Sequence, residues 1–275
     1  MKQVMIIDSH AHIFPEIIAE KASKNIGDFY GIKMRYDGTR DKLLEEGKAA
    51  GVDRFLIHSV ATTPKQVESI NRFIADSVRL YPDRFIGFAT LHPDSENLEE
   101  EFRRAMYNGL RGIKLHPDFQ NFDLGSDRAK EIYKLAEGKC PVLIHMGDKR
   151  TQFSKAEHLV PVLDEFPKLD VIAAHFGGYS EWGTGAAFLA TTRVYVDTSS
   201  SMFALRDEQI RELIEIYTPK RIMFGTDYPM WDAKEELDRF KSLGLSKETE
   251  EQILHKTLEE LLARYENKCL KIKSP

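Results

Sequence analysis

The feature that most constrains this chain is an alternation. Eight short apolar runs, at residues 4–8, 54–58, 85–90, 112–116, 142–145, 171–175, 194–197 and 222–227, are separated by longer stretches of helical period. Helices are expected over 64–80, 97–107, 128–136, 156–166, 207–217 and 232–243, several marked by Pro near the start or Gly just past the end. Alternating strands and helices build βα units around a parallel sheet, and eight of them in 275 residues predict an α/β fold, a (β/α)8 TIM barrel, as one domain over 1–275. An open doubly wound sheet would place a Gly-rich phosphate turn after the first strand, and here Ile7 is followed by Asp8-Ser9-His10-Ala11-His12 instead. The segment 13–40 reads as a long pocket-shaping loop. Residues 246–265 read as an extra C-terminal helix, apolar at Ile253, Leu254, Leu258, Leu261 and Leu262, packed outside the barrel.

Hydrophobic residues at 42% supply a core, and 39 basic against 44 acidic residues give a net charge of -5 with no basic stripe to neutralise phosphates. A nucleic-acid partner is therefore not expected. The opening run Val4-Met5-Ile6-Ile7 is too short for a signal-peptide core, and no apolar segment is long enough to span a bilayer. Two cysteines, Cys140 and Cys269, make no disulfide framework, so reduced thiols and a cytoplasmic location are expected, with no membrane partner.

In a barrel of this kind the chemistry gathers where the strands end, at their carboxyl termini. Seven of the nine histidines, His10, His12, His58, His92, His116, His145 and His175, fall at or just past such ends, and the last strand closes on Asp227. His10 and His12, two apart in an extended chain, point to one side and can grip one ion. A third imidazole from His145 and the Asp227 carboxylate complete a nitrogen and oxygen set suited to Zn, Mn or Fe with room for a water. His175 can either ligate or act as a base beside that water.

These residues, together with Pro141 before Ile144-His145, Ala174-His175-Phe176-Gly177-Gly178 and Gly225-Thr226-Asp227-Tyr228-Pro229, resemble the amidohydrolase superfamily. The branch they are most similar to is amidohydrolase-2, which includes aminocarboxymuconate-semialdehyde decarboxylase. The resemblance implies a barrel holding a divalent metal, most often zinc, on His10, His12, His145 and Asp227, one ion per chain, with His175 as catalytic acid or base and Asp227 also moving a proton. Other branches place a carboxylated Lys or a Glu on the fourth strand to bridge two metals. Here that strand reads Gly112-Ile113-Lys114-Leu115-His116-Pro117, so Lys114 could bridge a second ion, although a mononuclear site is the favoured reading.

His116, Lys114, Arg150, His58 and His92 are candidates for substrate contacts, with Lys149 beside Arg150 as a further loop cation. Ser199, Ser200 and Ser201 read as a turn and helix cap. Trp182, Trp231, Phe14, Tyr30 and Tyr228 form either a pocket wall or core. The expected function is metal-dependent hydrolysis of a C–O or C–N bond in a small lactone, ester or amide. Decarboxylation of a small unsaturated or aromatic acid is the alternative, and a metal-holding scaffold the least favoured. The partner is a small-molecule substrate, and a homodimer is compatible with the family.

Overall fold

A computed structural model describes residues 4–266 of the chain. Among them nine strand segments pair in parallel: β1 (Ile7–His12), β2 (Arg54–His58), β3 (Phe85–Gly87), β4 (Ala89–Thr90), β5 (Ile113–Leu115), β6 (Val142–Ile144), β7 (Val171–Ala173), β8 (Tyr195–Asp197) and β9 (Ile222–Met223). β3 and β4 are one stave broken at Phe88, whose N–H still donates to the Ile57 carbonyl at 3.0 Å. The ring closes where Ser9 N–H donates to Phe224 O at 2.8 Å, Asp227 N–H to His10 O at 2.9 Å and His12 N–H to Tyr228 O at 2.7 Å. Eight staves therefore enclose a (β/α)8 barrel.

Alternation along each stave sorts the side chains. Phe55, Ile57, Ile113, Leu115, Val142 and Ile144 face outward and pack against the helices. Ile7, Leu56, Ile86, Phe88, Leu143, Ile172 and Met223 form a separate buried cluster inside. Residues 246–265 are helical as expected, in three pieces, Lys247–Glu251, a π-helical turn at Gln252–Lys256, and Thr257–Ala263. Its Ile253 and Leu254 join the outer cluster, as expected, but its last turns leave the outer wall. Leu258, Leu261, Leu262 and Tyr265 join the interior cluster, and Arg111 and Arg264, reaching Leu262 O and Asp170, tie it to residues that lead into β5 and β7. It stoppers the barrel at the amino ends of its strands.

Two further expectations are corrected. The first strand starts at Ile7 rather than at Val4 and runs on through His12, because Asp8 replaces lost apolar burial with hydrogen bonds: its carboxylate accepts from His10 N–H and Thr226 N–H, each at 3.0 Å. Segment 13–40 contains a helix, α1 (Glu16–Tyr30). Its buried face is Ala19, Ser23 and Gly27, small residues at four-residue spacing, so the usual stripe of large apolar side chains is absent. A Cβ at Gly27 would stand 2.6 Å from Ile32 O, which is why that face is small. Among the described residues no helix is long and apolar enough to cross a membrane. Cys140 is buried, and Cys269 lies outside the described residues.

Candidate metal centre and pocket

The strand ends deliver their polar groups to one point. Nδ1 of the wholly buried His10 donates to Asp197 Oδ2 at 2.9 Å, which leaves the Nε2 lone pair turned inward. That Nε2 lies 3.5 Å from Asp227 Oδ1 and 3.1 Å from Lys114 Nζ, while His12 Nε2 lies 3.6 Å from the same Asp227 oxygen. His175 donates from Nδ1 to Ser199 O at 3.0 Å, so its Nε2 presents a lone pair, 2.9 Å from His145 Nδ1. Ligands about 2.1 Å from an ion are separated by roughly 3.0–3.5 Å in octahedral or tetrahedral arrangements, so these spacings match the edges of a coordination shell.

The ligating atoms of His10, His175 and Asp227 lie within 4.8 Å of one another, as do those of His10, His12 and His58. His145 instead groups with His116 and Asp118, through its ring stacked on His116 at 3.9 Å, and it meets the first cluster by way of His175.

Burial dominates the electrostatics. It pushes His10, His12, His58, His116 and His145 well below the usual imidazole range, with Lys114 the next contributor at His10, His12 and His116. The same burial lowers His175 to about 4. Neutral imidazoles offer lone pairs, the form a metal requires. Lys114 is brought down to about 8 by burial against the pull of Asp227 and Asp197, and Asp227 is raised to about 6 by burial against its Ser200 hydrogen bond.

The backbone is strained at the same place. His175, Phe176, Ser200 and Asp227 all hold left-handed φ values of 61°, 49°, 45° and 67°, a conformation that costs non-glycine residues on the order of 1–3 kcal/mol each. These turns aim His175 and Asp227 back over the barrel mouth.

A narrow pocket opens above the cluster, lined by His12, His116, His145, His175 and Asp227 together with Ile26, Tyr30, Met34, Phe119, Pro229 and Met230. Tyr30, from the last turn of α1, accepts a hydrogen bond from His116 Nε2 at 2.9 Å, since His116 Nδ1 is taken by Phe119 N–H. Of the five aromatic residues singled out in the sequence, Tyr30 alone lines this pocket. Trp231 and Trp182 donate to Ser200 and Ser201, Tyr228 to the Thr39 carbonyl, and Phe14 packs at Gly38.

The remaining candidates divide. Lys114 and His116 are buried on the inner face of the strand-four stave, and His58 is buried against His10 and His12, outside the pocket lining. His92 is also outside it, its Nδ1 accepting from Asp94 N–H at 3.2 Å. Arg150 is engaged elsewhere: it pairs with Asp148, hydrogen-bonds Phe29 O, and stacks 4.3 Å over Phe29 and 4.8 Å over Tyr30, clamping the end of α1. Lys149 offers its backbone N–H to Ser180 Oγ.

The sequence reading overlooked the residues that hold the ligands. Asp197 orients His10 and accepts from His175 N–H at 3.0 Å, and Ser199 Oγ contacts both rings while donating to Asp197. Ser200 donates to Asp227, so the serine run is a support for the site rather than a simple turn. The signal for Asp197 was present, because it ends a strand just as His145 does.

The chain matches the amidohydrolase family model over residues 7–264. Among similar solved structures is 5-carboxyvanillate decarboxylase from Sphingomonas paucimobilis, 15% identical, with 95% of this chain and 99% of that one covered at a TM-score of 0.76. A dihydroxybenzoic acid decarboxylase from Polaromonas with bound manganese and 2-nitroresorcinol is 17% identical, covering 98% and 100%, at 0.75. A Pseudomonas putida protein assigned as a 2-pyrone-4,6-dicarboxylic acid hydrolase is 21% identical, covering 95% and 98%, at 0.66. The structural likenesses establish the barrel, and the family match, running from the first strand through the terminal helix, establishes that this chain belongs to the amidohydrolase family.

Proposed function

We propose that the chain is a divalent-metal-dependent hydrolase of a small lactone, ester or amide, with zinc as the first choice of ion. The observation that carries this reading is the convergence of His10 Nε2, His12 Nε2 and Asp227 Oδ1 at 3.5–3.6 Å beneath the pocket. The donor set fits the ion, since the imidazoles are neutral and His10 has its second nitrogen held by a carboxylate. His10, His12 and Asp227 would hold it, with His175 beside them and His145 adjoining through the contact of its Nδ1 with His175 Nε2. Nitrogen-rich sets suit zinc, while the Polaromonas neighbour binds manganese. A divalent ion in such a site polarises a carbonyl and lowers the pKa of water to about 7.

The chain's own groups then handle the proton. Asp227, its Oδ2 fixed by Ser200, takes a proton from the attacking water and returns it to the departing oxygen or nitrogen as the C–O or C–N bond breaks. His175, tied at Nδ1 and through its backbone N–H, offers Nε2 as a fixed lone pair toward the reacting centre. Ile26, Met34, Phe119 and Met230 form an apolar wall of the pocket that excludes bulk water.

A second reading is favoured by the two decarboxylase neighbours and by that apolar wall, which suits conversion of a carboxylate into neutral carbon dioxide. Asp227 would then deliver its proton to the carbon that loses the carboxyl group. A panel of lactones, esters, amides and aromatic acids, assayed for acid release and for carbon dioxide, separates the two. Activity that survives exhaustive chelation, with the ion shown to be gone, would remove both.

A further inference from the structure

His58 ends β2 in register with His12, is fully buried, and has no hydrogen-bond partner at either ring nitrogen. A neutral imidazole carries one N–H and one lone pair, and leaving both unmet away from water forfeits their hydration with nothing in return. The ring stands edge-on to its neighbours, 4.3 Å and 90° from His12 and 4.8 Å and 76° from His10. A nitrogen from each of the three lies within 4.8 Å of the other two. An N–H directed at the face of His12 would engage one nitrogen and leave the other unanswered. Nor does a substrate in the pocket answer it, since His58 is not part of the lining.

The second histidine cluster shows why orientation matters. His116, Asp118 and His145 are equally close, and Asp118 Oδ2 is buried without a partner, 3.8 Å from His116 Nδ1 and from His145 Nε2. But the two rings lie parallel, 7° apart at 3.9 Å, so their in-plane lone pairs run side by side instead of meeting. Both His116 nitrogens are also already engaged. Around His58 the rings are crossed, and with His10 Nδ1 occupied by Asp197 the nitrogen His10 has to offer an ion is Nε2.

We propose that His58 is a further ligand from the second stave, joining His10 and His12 in holding the divalent ion. The proposal rests on the metal-dependent reading above. The test is zinc binding to metal-stripped full-length protein, wild type and His58→Phe, in competition with a chromophoric chelator, alongside 15N spectra of the wild-type imidazoles before and after zinc addition. The expected result is tight binding by wild type, affinity at least about 10-fold lower in a His58→Phe variant with unchanged circular dichroism, and a His58 ring nitrogen that shifts on loading together with those of His10 and His12. Undiminished affinity in the folded variant, or a His58 resonance that stays still while His10 and His12 move, would overturn it while leaving the metal reading intact. If the variant does not fold, the wild-type spectra decide. Wild type that retains no zinc, manganese or iron would overturn the metal reading and this inference with it.

Discussion

The two ends of the barrel are built on the same staves and behave as opposites. At the amino end, Leu56, Leu143 and Met223 meet Leu258, Leu261 and Leu262 of the terminal helix in one buried apolar cluster. Two residues further along, the same inward face carries His58 after Leu56 and His145 after Leu143. There His10, Lys114, His175, Asp197 and Asp227 are all buried, most of them shifted by desolvation, and the backbone is held left-handed at His175 and Asp227. One end contributes stability through apolar burial, and the other gives some of it up to hold ionisable groups in place.

If that division is real, changes at the two ends should separate activity from stability. Asp227→Asn should lower kcat/KM on the substrate identified by the panel by about 10²–10⁴-fold while leaving the fold intact, as steady-state kinetics and thermal melts would show. A collapse in melting temperature instead would mean that the polar end also carries the fold. At the opposite end, Leu261→Ala removes a fully buried side chain and should destabilise by about 2–5 kcal/mol in urea titration, with metal content unchanged. Loss of metal in that variant would break the comparison.

Glu236 sharpens it. This buried carboxyl has an unpartnered Oε2 and is raised from 4.5 to about 8, first by burial and then, against Arg239, by Asp8 and Asp227. Its folded-state pKa lies above the unfolded value, so the stability associated with its proton is present below about pH 4.5 and lost as pH rises through about 8. Glu236→Gln should therefore match wild type near pH 4 and exceed it at pH 9 by on the order of 1–3 kcal/mol, as melts across pH would register. Equal stability at both pH values would show that the carboxyl is better solvated than its burial suggests. The smallest effect is expected at Arg150→Lys, which keeps a cation beside Asp148, gives up the planar stacking on Phe29 and Tyr30 and should cost about 0.5–1 kcal/mol, chiefly as a raised KM from a looser α1 terminus.

Much of this was legible along the chain. The staves could be read because each is a short apolar run, and the rule that chemistry sits at strand ends selected His10, His12, His145, His175 and Asp227. α1 escapes the usual sign of a helix, periodicity in large apolar residues, because its buried face is Ala19, Ser23 and Gly27. Arg150 looked free to bind a carboxylate, and only folding showed Asp148 and the Phe29 ring already engaging it. Asp197 is marked by its place at a strand end, whereas Ser200 carries no such mark, since a residue that supports another is recognised by its neighbour across the barrel.

Local pattern alone determined the barrel and the sign of its interior, because alternation along a strand is fixed by backbone geometry within a few residues. Which nitrogen of each histidine faces inward, which carboxylate holds it, and that the last helix seals the floor were decided by contacts between residues far apart in sequence. The His10–Asp197 pair, for example, spans 187 positions. No short-range pattern encodes such a pairing; it exists only once closure of the barrel brings the two strand ends together.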